Sequence, residues 1–200
     1  MKRMTEIEER YKETKELLGE DLRFLYEIDS KIEGLRHKDG PRIEELLEGR
    51  DKRSDLSLFI GRSPEEISLT QEEALSGGIK YHYGNLILNG LSSAEGLVLP
   101  KNIGGDLFLN SLSRAEGLNL PEHMEGNLIL NGLSSAEGLN LPERIGGYLY
   151  LNGLKSAEGL VLPKNIGGDL YLNGLSSAEG LNLPEHMEGS LSLNRIKTCT

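Results

Sequence analysis

A mainly β fold is predicted here: a right-handed β-solenoid of 21-residue leucine-rich coils, preceded by an α-helical cap. Three observations predict it. The tetrapeptide AEGL recurs at residues 94, 115, 136, 157 and 178, always 21 residues apart. Within each unit leucines alternate with other residues, as in Leu86-Ile87-Leu88, which is the period of a strand with one buried face. Between these runs stand Asn-Gly, Glu-Gly, Pro and Gly-Gly, the residues that turn a chain sharply. A unit this short cannot bury its leucines alone, whereas copies stacked about 4.8 Å apart share one continuous core.

Taken in chain order, residues 1–53 read as a helical region, a long helix followed by a short one. Thr5 and Glu8 have the spacing of a capping box. Met4, Ile7, Tyr11, Leu18, Leu25, Ile28, Ile32 and Leu35 follow at heptad-like spacing, interrupted by Thr14 and Asp21. Asp39-Gly40-Pro41 ends that run and opens the short helix with Ile43, Leu46 and Leu47. Two uses fit: a helical hairpin over the first coil, or a coiled-coil dimerisation helix.

Residues 54–83 read as a divergent capping coil. Terminal repeats must differ from inner ones, because an open strand edge invites pairing with another chain. The stretch LSLFIGRSPEEISLT (56–70) aligns without gaps to LILNGLSSAEGLVLP (86–100), matching Leu56, Leu58, Ser63, Glu65, Ile67 and Leu69. The offset is 30, not 21, and TQEEALSGG (70–78) accounts for the extra residues. It reads as a helical turn in which Thr70 and Glu73 form a capping box.

Residues 84–200 carry the array. Full coils begin at Gly84, Gly105, Gly126, Gly147 and Gly168, and a half coil begins at Gly189. Their common pattern is G-x-L-x-L-N-G-L-x-S-A-E-G-L-x-L-P-x-x-I-x, with Met at 124 and 187. Two strands per coil are expected, one at L-x-L (86–88) and one at Leu97-Val98-Leu99. The final SLSLNRIKTCT (190–200) has only Arg195 and Lys197 as charges on its edge, which leaves that edge open to a partner or a second copy.

LPKNIGGDLFLNSL (99–112) and LPERIGGYLYLNGL (141–154) resemble the coils of short, strand-dominated leucine-rich-repeat-like arrays of bacteria, which read L-P-x-x-I-G-G-x-L-x-L-x-G-L. The resemblance covers residues 84–194, a little over half the chain. The order L-x-x-L-x-L-x-x-N and the helical convex segment of ordinary leucine-rich repeats are missing. What the resemblance implies about function is protein binding, and only loosely, since a fold hosts many functions. Above the 21-residue period lies another of 63: residues 98–126 and 161–189 differ at 108/171, 111/174 and 114/177 alone. Sameness between coils is therefore partly the result of copying.

Composition narrows the functional classes. The chain carries a net charge of −10, and residues 84–189 hold 5 Lys/Arg against 12 Asp/Glu. Binding to a phosphate backbone needs clustered basic residues, so direct contact with nucleic acid is not expected. One cysteine, Cys199, fits a reducing compartment. The opening MKRMTEIEERYKETKE lacks an apolar leader core, and no run reaches the roughly 18 apolar residues of a membrane span. A cytoplasmic protein without membrane contact is the expectation.

Stacking turns each repeat position into a column. The outward residues of the first strand, Ile87, Phe108, Ile129, Tyr150, Tyr171 and Ser192, form an apolar and aromatic stripe. Contiguous apolar surface usually marks an interface, so Ile87, Phe108, Ile129, Tyr150 and Tyr171 are the candidate partner-binding residues, with the tyrosines as anchors. Coverage by the helices or by a dimer mate is the competing use of that stripe. The asparagines at 89, 110, 131, 152, 173 and 194 suit bonding to turn backbone between coils. Glu95, Glu116, Glu137, Glu158 and Glu179 form an acidic column. Neighbouring carboxylates at about 5 Å repel by roughly 1 kcal/mol in water, which solvated side chains tolerate. A single file cannot surround a calcium ion, which needs about six to eight oxygens.

Catalysis is not expected, nor any cofactor or metal. His123 and His186 lie three coils apart, about 14 Å by strand spacing. The glycine-rich turns lack the lysine and following helix of a phosphate loop. Tyr81-His82-Tyr83 reads as packing at the cap junction. The leading expectation is a non-enzymatic protein-binding scaffold with a protein partner. Two others stand beside it: an acidic mimic of nucleic acid that occupies the groove of a DNA-handling enzyme, and a structural module that forms homo-oligomers through the N-terminal helix or the C-terminal edge.

Overall fold

A computed structural model of the protein describes residues 2–28 and 40–196. The chain divides into two units, Met1–Pro64 and Glu65–Thr200, so the stretch 54–83 contributes to both. Ile32, Leu35 and Cys199 lie outside the described residues.

The first unit is helical: α1 (Lys2–Thr14), α2 (Gly19–Leu25), α3 (Gly40–Leu46) and α4 (Lys52–Ile60). The heptad run does not form one helix. Lys15 takes a left-handed backbone (φ 57°), which ends α1, and the Asp21 carboxylate accepts the Leu18 N–H (2.8 Å) to start α2. Thr5 lies inside α1, whose first residue is Lys2, so the capping box expected at Thr5 and Glu8 does not mark a helix start. Met4, Ile7, Leu25 and Leu46 form the small apolar core. Polar contacts fix the rest. Arg42 donates two bonds of 2.6 Å to Glu8, joining α3 to α1. Tyr26 donates its hydroxyl to buried Asp55 (2.9 Å), and Arg50 grips the same carboxylate with two bonds of 2.8 and 2.6 Å. Residues 56–60 belong to α4; Leu56 is buried there and Leu58 is 75% exposed. They are helical, not the first strand of a coil, which ends the proposed alignment of 56–70 with 86–100.

The second unit is a parallel β-solenoid of about five 21-residue coils with two sheets. The six-stranded sheet runs through Leu86–Ile87, Leu107–Phe108, Leu128–Ile129, Leu149–Tyr150, Leu170–Tyr171 and Leu191–Ser192. Each strand pairs with its equivalent 21 residues away, Leu86 opposite Leu107 and so on. The seven-stranded sheet runs through Ile67–Ser68, Tyr81–His82, Asn102–Ile103, His123–Met124, Arg144–Ile145, Asn165–Ile166 and His186–Met187.

The second strand of each coil is thus not where leucine alternation placed it. Leu97-Val98-Leu99 and its copies turn leucines inward, except Leu183 of the last copy at 56% exposure, but form no ladder; the ladder lies at the x-Ile before Gly-Gly. Two local features account for this. Gly96 and its equivalents are left-handed (φ 72–77°), and Pro100, Pro121, Pro142, Pro163 and Pro184 follow, each without an N–H to donate.

Leu86, Leu88 and their equivalents through Leu172 are buried at 3% exposure or less, with Ile103, Met124, Ile145 and Ile166 arriving from the other sheet. Alanines 94, 115, 136 and 157 are buried where the coil is narrow. At the N-terminal end the inward column of that other sheet turns polar. His82 pairs with Ile103 and Ser68 pairs with His82. Ser68 Oγ lies 2.9 Å from His82 Nδ1, and His82 Nε2 lies 3.2 Å from the Asn85 carbonyl. The carbonyl only accepts, so Nε2 carries the proton and Nδ1 accepts from Ser68. Burial pushes the His82 pKa below its ordinary value. Between these two residues in the chain, α5 (Gln71–Ala74) has the expected capping box: Thr70 Oγ1 accepts the Glu73 N–H at 3.3 Å, and Glu73 Oε2 accepts from Leu69 and Thr70. Among the described residues no helix is long and apolar enough to cross a membrane.

Candidate protein-binding face

The strands of the six-stranded sheet are two residues long, yet each is extended by side chains. Residues 85, 87 and 89 and their equivalents alternate with buried leucines, so three columns share the outer face. The outer two act as ladders. Asn89 Oδ1 accepts the Asn110 N–H (3.0 Å), and the same bond repeats from 110 to 131, 131 to 152, 152 to 173 and 173 to 194. This structural role is the one expected of the asparagines. Asn85, Asp106 and Asn127 do likewise, accepting the N–H of residues 106, 127 and 148 at 2.7–2.8 Å. Asp169 resumes the series by accepting the Ser190 N–H (2.7 Å).

One place breaks that second ladder. Position 148 is tyrosine, which has no carboxamide or carboxylate oxygen to hold the Asp169 N–H. A neutral hydrogen bond contributes about 1 kcal/mol, so the substitution removes a small stabilising contact and adds a ring. That ring lies over Gly168, where any Cβ would collide with it, and it is 41% exposed.

The middle column is the expected stripe, and register brings all of it together: Ile87, Phe108, Ile129, Tyr150, Tyr171 and Ser192 are successive ladder partners. Its members are not equally presented. Ile87 is 53% exposed, whereas Ile129 is 7% exposed and serves as packing between its neighbours. Phe108, Tyr150 and Tyr171 are half-buried. The Tyr150 and Tyr171 rings stack, with centroids 4.5 Å apart and planes within 1°. Tyr148 meets both edge-on at 6.2 and 6.4 Å, so three of the seven tyrosines in the chain form one cluster. The Tyr171 hydroxyl donates to Asp169 Oδ2 (2.8 Å). That bond pushes the Tyr171 pKa up to about 12, while the Ser190 N–H and the Tyr171 hydroxyl hold Asp169 below the usual carboxylate range. The hydroxyl keeps its proton at neutral pH and the carboxylate keeps its charge.

Reasoning from alternation found Tyr150 and Tyr171 but missed Tyr148. The signal was present: 148 is the aromatic exception in a column otherwise made of Asn, Asp and Ser. The 63-residue duplication sharpens it. Residues 84–126 and 147–189 differ at 85/148, 87/150, 92/155, 108/171, 111/174 and 114/177. Three of those six pairs put a tyrosine in the second copy, and all three rings meet in this cluster.

The acidic column is on a corner. Glu95, Glu116, Glu137, Glu158 and Glu179 are all exposed. In four coils the glutamate N–H donates to the serine hydroxyl two residues earlier, at 3.1–3.2 Å. Arg114 takes the serine's place in the remaining coil and lies 3.7 Å from Glu116. These residues make the turn, and their carboxylates point to water. His123 and His186 are exposed on the seven-stranded sheet. Comparison with protein-family models, with curated proteins and with solved structures finds no match for this chain.

Proposed function

We propose that this chain is a non-enzymatic protein-binding scaffold that holds its partner on the outer face of the six-stranded sheet. We read its coils as the bacterial leucine-rich-repeat-like kind and its setting as the cytoplasm. The observation that carries the reading is the cluster of Tyr148, Tyr150 and Tyr171. Aromatic side chains supply large contact area at low entropic cost and dominate interface energetics. This cluster is held still before any partner arrives, by ring stacking and by the bond from Tyr171 to Asp169. A preordered surface loses less entropy on binding. The asparagine ladder beside it holds its side-chain oxygens in bonds within the fold.

The test is paired capture from the native host with the parent chain and with Tyr150→Ser/Tyr171→Ser. The expected result is loss of the captured protein with far-UV circular dichroism unchanged. Capture that survives the double substitution would overturn the reading.

A further inference from the structure

The charges around the tyrosine cluster point to the chemistry of its partner. Among the eighteen residues of the three outer columns (85, 87, 89 and their equivalents through 190, 192 and 194), none is Lys or Arg. Two are acidic, Asp106 and Asp169, and Asp169 is in the cluster itself. The whole array from 84 to 189 has 12 acidic against 5 basic residues, so no net positive charge in the array opposes a cation at this face. A tyrosine ring face attracts a cation, and the attraction grows when a carboxylate stands beside it. Two ring surfaces are available for such contact. Tyr148 is the most open ring of the three at 41% exposure. The stack ends at Tyr171, whose next column partner is the small Ser192, and the Ser192 hydroxyl is turned aside to Asn173 Oδ1 (2.8 Å).

Resting on the scaffold reading above, we propose that the cluster of Tyr148, Tyr150, Tyr171 and Asp169 receives an arginine side chain from an extended basic segment of the partner protein. Arginine fits better than lysine because its planar guanidinium stacks on a ring and pairs with a carboxylate at once, whereas an ammonium is a compact, strongly hydrated charge. The ladder-built face presents its side chains in regular rows, which suits an extended segment. A neutral proline-rich segment would use the rings but not Asp169.

The experiment is fluorescence polarisation of labelled peptides against the full chain at physiological salt. One probe alternates glycine with arginine, a second alternates glycine with lysine at equal charge, and a third is a neutral proline-rich peptide. The parent chain is expected to bind the arginine probe roughly tenfold more tightly than the lysine probe. Tyr148→Asn installs the residue that Asn85 and Asn127 provide in other coils, so the fold has a place for it. It should bring arginine binding down to the lysine level, while Tyr148→Phe retains it. Asp169→Asn, again a residue native to that column, should weaken the arginine probe severalfold. Converting Glu95, Glu137, Glu158 and Glu179 to Gln should leave the preference for arginine intact.

Equal binding of the arginine and lysine probes would overturn the inference. So would arginine binding that ignores Tyr148→Asn, or that collapses only with the glutamate column, which is the behaviour of an acidic mimic. Tightest binding by the proline-rich probe would also overturn it. If the probes show no preference but Tyr150→Ser/Tyr171→Ser still abolishes partner capture, the scaffold reading stands with a non-cationic partner. If capture survives as well, both readings fall.

Discussion

The helical unit and the solenoid solve the same problem, holding a small core together, by opposite means. In the helical unit the apolar core is Met4, Ile7, Leu25 and Leu46, with partly buried neighbours. Its geometry is fixed by individual polar contacts, above all Tyr26 and Arg50 on Asp55 and Arg42 on Glu8. These contacts differ from one another in residue type and partner. In the solenoid a single set of contacts recurs every 21 residues: leucines inward, asparagine oxygen to the next coil's N–H, and a left-handed glycine at the corner. The lesson is that repetition makes each inner coil's environment nearly the same. A difference between coils, such as Tyr148, is then visible against a uniform background.

The largest effect should come from the array's core. Leu130 is fully buried with coils on both sides, so Leu130→Ala should cost about 2–5 kcal/mol, the range for a buried leucine whose cavity cannot collapse. Urea unfolding followed by circular dichroism checks it, and a change under 1 kcal/mol would mean the coils relax independently. Next comes the helical unit. Asp55→Ala strips a buried carboxylate from Arg50 and Tyr26 and should cost about 3 kcal/mol. Hydrogen exchange should show the loss in the amides of α2 and α4; faster exchange in the array instead would contradict the contrast drawn above.

The smallest effect concerns the polar end of the array. His82 is neutral in the fold, and its pKa lies below the ordinary 6.5. A depressed histidine pKa means the unfolded chain takes the proton first, so its contribution is complete above about pH 6.5 and is lost as pH falls through the folded value. Melting temperature should therefore decline as pH falls from 7 to 5, more steeply in the parent than in His82→Gln. Equal slopes would show that His82 is not the group responsible.

Much of the solenoid was legible in the amino-acid sequence. Leucine alternation identified the inward residues because side chains on a strand must point to opposite faces, and a period of 21 with no slippage allows only a stack in register. Asn89 and its copies were recognisable as ladder residues for the same reason. The helical unit was less legible, because its few apolar positions fitted a heptad run as well as they fitted separate short helices. Thr14 and Asp21 interrupt the heptad around the break, but Lys15, a lysine in a left-handed conformation, does not itself mark where the helix stops.

By itself the sequence determined the period, the face of each leucine and the corners at Glu-Gly, since these follow from alternation and from what glycine and proline permit. Tertiary structure alone decided three further matters. It moved the second ladder from Leu97-Val98-Leu99 to Asn102–Ile103, because hydrogen bonding between coils depends on how the backbone leaves the preceding corner. It buried Ile129 between Phe108 and Tyr150 while leaving Ile87 open at the end of the sheet, because a column's ends have one neighbour instead of two. And it leaned Tyr148 along the stack over Gly168 into the rings of Tyr150 and Tyr171, a contact between columns and coils that no spacing along the chain encodes.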